Sequence, residues 1–425
     1  MSTDGRIKAR LAVMMVLVYS VQGAFWPLLS IHLVDLGVPE RARGWIFATF
    51  AIGSVAMSMG AGRVADRLLP TQKCLSWTYA GGSVLLTLIA LGLSSDVGWL
   101  LGLFLVYSLV MAPNYTLSSS LAFRNLDCPD REFGRVRLWG TVGWMAVGWL
   151  ISARMGWAGH RSGRGVPEAF GIAAGLSALT AIYCRTLPDT PPLAKGGRRG
   201  SSLGEVVELV RRPGMAAYLV AAFGVSLTVP FVYQVLPNTL RAGGMDRAWV
   251  PSAMSLGQWP EIVGLAALPW LIRRGGYRLT LVVGMAAYAV RFGSLVAGPP
   301  LWLATAGIPL HGLGVACFSI GGQMFVDRQA PADRRAGAQS INTMVSGGLG
   351  SLLGSLLGGE IVGAFPDGSG LVFALPCAIN AGLVVFVWSR FRPTPNPAPS
   401  PDRVERRLVD PLDRKAPAGA GAGPA

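Results

Sequence analysis

A chain of 425 residues that is 52% hydrophobic and only 14% charged, with a mean hydropathy of +0.47, is too apolar for a water-soluble globule, which runs nearer a quarter charged. Its formal net charge of +15 would suit nucleic acid in a soluble protein. Apolar runs of about 20 residues recur along nearly the whole length, each long enough to cross a bilayer as a helix, so the composition excludes a soluble nucleic-acid binder and predicts an all-α polytopic membrane protein.

The first apolar run, 11–32, is longer than the apolar core of a cleavable leader and reads as an anchor. Predicted spans lie at 11–33, 44–62, 74–94, 98–120, 136–155, 167–186, 215–237, 249–272, 278–297, 300–325, 337–364 and 371–391, twelve in all. Most of the 37 Lys and Arg residues fall in the loops on the side of the two termini, and that bias predicts both ends in the cytoplasm. The 56 glycines suit close helix contacts in a membrane. The five cysteines, Cys74, Cys128, Cys184, Cys317 and Cys377, show neither pairing nor zinc spacing and read as small packing residues.

A polar segment rich in Pro, Gly, Lys and Arg divides the chain, giving an N-terminal six-helix half at 1–186, a cytoplasmic linker at 187–213, a C-terminal six-helix half at 214–391 and a disordered tail at 392–425. Asp130-Arg-Glu-Phe-Gly134 and Asp333-Arg-Arg-Ala-Gly337 precede the fifth and eleventh spans at matching places, an echo of duplication. Two packed halves with a site between them is the physical basis of alternating access.

Four stretches carry the chemistry. Gly62-Arg-Val-Ala-Asp66-Arg67 follows the second span, where Gly permits a tight turn and Asp and Arg can pair with helix ends. Arg137, Thr141 and Trp144 share a face at the start of the fifth span: either a donor and an aromatic plate at the mouth of a cavity, or a snorkelling Arg beside an interfacial Trp. The seventh span holds Pro230 and Pro237 with Gln234 and Asn238 one turn apart, amides that suit a polar ligand or a clasp between helices. The eighth holds Gln258-Trp-Pro-Glu261, one turn of helix that puts an amide and an acid on one face. A carboxylate at mid-bilayer costs about 2.5–3.5 kcal/mol, so Glu261 is either a proton carrier or a structural acid satisfied by Arg291 on the ninth span. An arginine that alternately pairs with and releases it would be a switch. His311 and Ser319 share a face of the tenth span, as do Tyr107, Met111, Asn114 and Ser118 on the fourth, and Gln22 and Trp26 on the first; packing suffices for each. No nucleophile–base set, phosphate loop, metal-ligand spacing or cofactor pattern is present, which predicts a protein that is not an enzyme and has no cofactor.

The Gly62-to-Arg67 stretch resembles the loop signature of the major facilitator superfamily, in which it helps hold the inner gate shut; Leu68, Leu69 and Pro70 depart from the usual basic continuation. Arg137-x-Trp139-Gly140-Thr141-x-Gly143, Gln258-x-x-Glu261, Val290-Arg291-Phe292 and Phe325-Val-Asp327 followed by Pro331, Arg335 and Ala338-Gln339 resemble the nucleoside:proton symporter branch of that superfamily. The resemblance implies proton-coupled import of nucleosides, with Arg137, Thr141, Trp144, Gln234, Gln258 and Glu261 facing the substrate. Beside it, the residues themselves make His311 and Ser319 further substrate-binding candidates and Glu261 with Arg291 the proton-coupling pair, in a chain expected to act as a monomer. The resemblance departs at Ala316, where an acid is usual, at Phe231 in place of a glutamine and at Gln234 in place of an asparagine. The fifth-span motif is also similar to phenylpropionate and sugar:proton symporters, and the same architecture serves proton-coupled exporters of drugs or metabolites.

Overall fold

A computed structural model describes residues 3–56, 69–157, 166–191, 203–331, 334–365 and 370–393, and every regular element among them is helical. Among the described residues, nine helical stretches are long and apolar enough to cross a membrane. One of these, Arg247–Val296, runs 50 residues. It is broken at Gly276, whose φ of 67° and ψ of 179° only glycine adopts readily, so the stretch supplies two antiparallel passes. Glu40–Ala56 and Pro129–Trp157 are further helices of 17 and 29 residues. Bulky apolar side chains such as Trp77, Val84, Ile182, Val263, Val290 and Trp388 stand exposed on the outside of the bundle, as lipid requires and water would penalise.

The helices from 3 to 184 pack chiefly on one another, Thr71–Leu91 against Pro167–Cys184 and Thr3–Phe25 against Pro129–Trp157. Those from 215 to 390 do the same, with Gln258–Val296 against Pro309–Gly314 and Met215–Gln234 against Ser351–Ala364 and Ala374–Arg390. Two seams between the sets show how closely they meet. Glu40–Ala56 packs on Ser351–Ala364 with so little space that a Cβ on Gly44 would lie 2.9 Å from the Ser355 carbonyl. Pro129–Trp157 packs on Val250–Ser255, where Trp149 Nε1 donates to Ser255 Oγ at 2.8 Å and the Ser252 amide to Ser152 Oγ at 3.1 Å.

Several predicted spans are interrupted where the sequence shows only continuous apolar runs. Pro113 splits the fourth into Val97–Met111 and Asn114–Asn125. The seventh breaks at Val235, two residues before Pro237, which sits in the first turn of Leu236–Ala242. The tenth and eleventh each contain a π-helical stretch, Val315–Ile320 and Met344–Gly350, and such turns concentrate at functional sites. The fifth helix starts at Pro129, about two turns before the predicted 136, which moves Arg137 from a helix end into its body.

Of the predicted linker, 192–202 lie outside the described residues, and the two flanks are more ordered than a linker needs. At one flank the Thr71 amide donates to the Thr190 carbonyl at 3.0 Å, the Thr190 amide to Gln72 Oε1 at 3.0 Å, and Arg124 to the Pro191 carbonyl at 2.6 Å. At the other, Leu203–Val210 is a short helix tied by Glu208 to Arg334 at 2.6 Å. The gating-loop residues Gly62, Asp66 and Arg67 lie outside the described residues, as does residue 333 of the second echo and the tail from 394 onward. Cys74, Cys184 and Cys317 are buried and Cys377 half-buried, but Cys128 is exposed, so packing does not account for all five.

Candidate functional site

The wall contributed by the first half begins with two glycines. Gly140 and Gly143 let Pro129–Trp157 lie almost on the backbone of Thr3–Phe25: a Cβ on Gly143 would sit 2.8 Å from Val16 Cα, and one on Gly140 would sit 2.5 Å from Cδ2 of the Tyr19 ring. Ser20 Oγ closes the contact by donating to the Gly143 carbonyl at 3.0 Å. With the helices this close, the Arg137 guanidinium carbon rests 4.0 Å from the centre of the Tyr19 ring, a cation–π contact. Tyr19 in turn packs on Tyr115 with ring centres 4.7 Å apart, and the Tyr115 hydroxyl donates to Gln22 Oε1. Thr141 is buried, and Trp144, half-buried, passes close to Gly23.

The opposite wall is built around Glu261. The turn at Leu256 and Gly257 separates Val250–Ser255 from the helix that begins at Gln258, and Gly312 lets the tenth helix press onto that start. A Cβ on Gly312 would meet the Gly257 carbonyl and lie 2.6 Å from the Glu261 amide nitrogen. The Glu261 side chain is half-buried and lies within electrostatic reach of Arg137 from the other half. Tyr19 is in reach of both charges. Deeper in the same wall, Arg291 is 1% exposed. Tyr233 and Tyr288 are each in reach of both Arg291 and Glu261, and His311 is in reach of Arg291. The His311 ring lies 6.1 Å from Tyr233 and 5.8 Å from Tyr288, and Tyr288 hydrogen-bonds Ser319.

The structure thus brings Arg137, Glu261, Arg291, His311 and Ser319 around one aromatic cage. It does not pair Glu261 with Arg291: among the described residues no ion pair joins them, and the cation that acts on Glu261 is Arg137. The amides go elsewhere. Gln234 donates to the Ser355 carbonyl at 3.1 Å, clasping the eleventh helix. Gln258, in the amide orientation that satisfies its neighbours, donates to the Ser255 carbonyl at 2.9 Å and so caps the helix break beneath Glu261. Asn238 donates to Ser30 Oγ at 2.9 Å, joining the two halves. Asn114, on the fourth-span polar face, is buried against Thr78 at 2.7 Å.

Four tyrosines, Tyr19, Tyr115, Tyr233 and Tyr288, form the cage, and none of them is among the site residues that the sequence suggests. Spacing carries a signal for two. Tyr19 stands three residues before Gln22 and Tyr288 three before Arg291, so each shares a helix face with a polar residue that the sequence does single out. Aromatic rings grouped with one acid and two guanidiniums are the chemistry that stacks a flat polar solute and takes up or releases a proton beside it.

The model of the nucleoside H+ symporter family matches residues 5–395. The chain belongs to this family. As a member of a transporter family with apolar helices throughout, this symporter-family chain is an integral membrane protein. It is 31% identical over 366 residues, 83% of its own length and 84% of the relative's, to YegT of Escherichia coli, whose description proposes it as a nucleoside transporter. It is 25% identical over 388 residues to the xanthosine permease of Escherichia coli, covering 84% of this chain and 88% of that one. A crystal structure of a variant of the nucleoside transporter NupG superposes with a TM-score of 0.80 at 20% identity, over 91% of this chain and 100% of the other, which establishes the major facilitator fold.

Proposed function

We propose that this symporter-family chain imports nucleosides together with a proton across a bacterial inner membrane, as a monomer with twelve passes and both termini in the cytoplasm, and that it is not an enzyme. The observation that carries the reading is the position of Glu261: a half-buried acid from one half, opposite Arg137 from the other, in an aromatic cage. Protonation of Glu261 removes its attraction to Arg137 and frees the guanidinium for the solute, so proton and solute occupancy are linked through one pair. Thr141 and Trp144 line the first-half side of the cleft; Gln234 and Gln258 hold the helix breaks that shape the second. Gly62, Asp66 and Arg67, outside the described residues, keep the gating role that the loop signature implies.

The closed end lies away from the termini, where Asp35, Arg241, Arg247, Ser30 and Asn238 join the halves, which fits an inward-facing state. A proton moving through about 100 mV supplies roughly 2.3 kcal/mol, enough for an accumulation of about fortyfold at 1.4 kcal/mol per decade. Reconstituted vesicles loaded with unlabelled uridine test the reading by counterflow. Labelled uridine should enter, a proton gradient should drive it uphill, and labelled maltose or phenylpropionate should not exchange. Exchange of a sugar or aromatic acid without any nucleoside exchange would overturn it.

A further inference from the structure

The site carries one positive charge more than its own side chains balance. Arg137 and Glu261 offset each other across the cleft, while Arg291 stands alone at 1% exposure, with Tyr233 and Tyr288 rather than an acid as its electrostatic neighbours. Its Nη1 is buried without a hydrogen-bond partner, and so is Nδ1 of His311. His311 lies on the same wall, its ring within about 6 Å of both tyrosines that Arg291 faces. A buried guanidinium with an idle N–H is costly to hold, and proteins keep such groups where a ligand completes them. Tyr233 and Tyr288 flank the His311 ring and are in electrostatic reach of both Arg291 and Glu261, so the two unpartnered atoms border the cage.

We propose that Arg291, with His311 beside it, determines substrate specificity by receiving an anionic oxo-bearing edge of the base, so that the transporter favours dioxopurine nucleosides over neutral ones. This rests on the nucleoside reading above and sharpens it to a substrate class. A planar guanidinium presents parallel N–H groups that match two adjacent acceptors on a ring edge. An ionised dioxopurine offers such an edge together with the negative charge that the site lacks. A neutral hydroxypurine offers one oxygen and no charge.

The test compares binding of xanthosine and inosine to the purified full-length protein by calorimetry at neutral pH, where the first base is largely ionised and the second is not. Wild type should bind xanthosine at least about tenfold more tightly, the lower range for a charged hydrogen bond. Arg291→Gln should bring the ratio towards one, and Arg291→Lys, which keeps the charge, should retain part of it. If Arg291→Gln does not fold, the wild-type ratio and the Arg291→Lys ratio still decide. Equal binding of both nucleosides by wild type, or an unchanged ratio in Arg291→Gln, overturns the assignment and leaves nucleoside transport standing. Binding of neither would remove the nucleoside reading and this inference with it.

Discussion

Asp35 and Arg241 are 206 residues apart in the chain and joined at 3.0 Å in space, with Arg247 reaching the other carboxylate oxygen at 3.4 Å. The contact ties the first helix to the segments on either side of the turn between the seventh and eighth. It joins the two halves at the end of the bundle away from the termini, next to the Asn238–Ser30 hydrogen bond. For transport to occur, this contact must open.

Asp35→Asn keeps the shape and removes the charge. A hydrogen bond to a charged group is worth about 1.5–3 kcal/mol, so the closed state should lose about tenfold or more against the open one. A Ser30→Cys probe behind the contact should then react with a membrane-impermeant maleimide about tenfold faster in the Asp35→Asn background. Equal labelling rates would mean that helix packing alone holds this end closed.

Glu261→Gln retains a hydrogen-bonding side chain that no longer titrates. Counterflow of nucleoside, which needs only alternation, should persist in this variant, while accumulation driven by a proton gradient should be lost. Accumulation at the wild-type level would move proton coupling to another group, with His311 the first to examine.

What is legible in the chain and what is not divide along a physical line. The apolar spans, their outward faces and the acid at 261 follow from residue type and period, because lipid leaves few choices for a polar backbone or a charge. Contacts between distant segments do not follow. Glu261 and Arg291 are thirty positions apart on neighbouring spans, which makes them natural partners on paper, yet the structure gives Glu261 the cation from the opposite half. Gln234 and Gln258 look like ligand amides because a polar group in an apolar run is conspicuous. Gln234 instead, at the last residue before its helix breaks, clasps the Ser355 carbonyl of the eleventh helix, and Gln258 satisfies the Ser255 carbonyl at a helix break. Both demands are visible only once the breaks and neighbours are known. The tyrosines escape notice for the reverse reason, since an aromatic ring in a membrane span passes for ordinary packing.

Gly312 makes the Glu261 wall possible. The Gly257 carbonyl and the Glu261 amide occupy the space a methyl group would need. Gly312→Ala should force the tenth helix away from residue 261, destabilise the protein by about 1–3 kcal/mol and weaken nucleoside binding. Gly171→Ala, where an added methyl meets open space, is the control and should leave both unchanged or slightly improve stability. Thermal unfolding and calorimetry on the two purified variants check this, and matching melting temperatures would refute it.

Glu208 anchors the short helix Leu203–Val210 to the second half through Arg334 at 2.6 Å and pairs locally with Arg212, one turn on, at 3.4 Å. The hydrogen bond and charge of Arg334 first, and those of Arg212 after it, hold its carboxyl below the ordinary value. A lowered carboxylate value means that the anchoring is fully present above the ordinary range of about 4.3 and fades as the pH falls through the folded-state value. Amide exchange across 203–210, corrected for its intrinsic pH dependence, should therefore be constant from about pH 8 to 6 and accelerate only well into the acid range. Glu208→Gln should show the faster exchange already at neutral pH, and the effect should shrink in high salt because the pair is exposed. If the variant exchanges at the wild-type rate in low salt, the helix is held by its apolar side chains and the ion pair contributes nothing measurable.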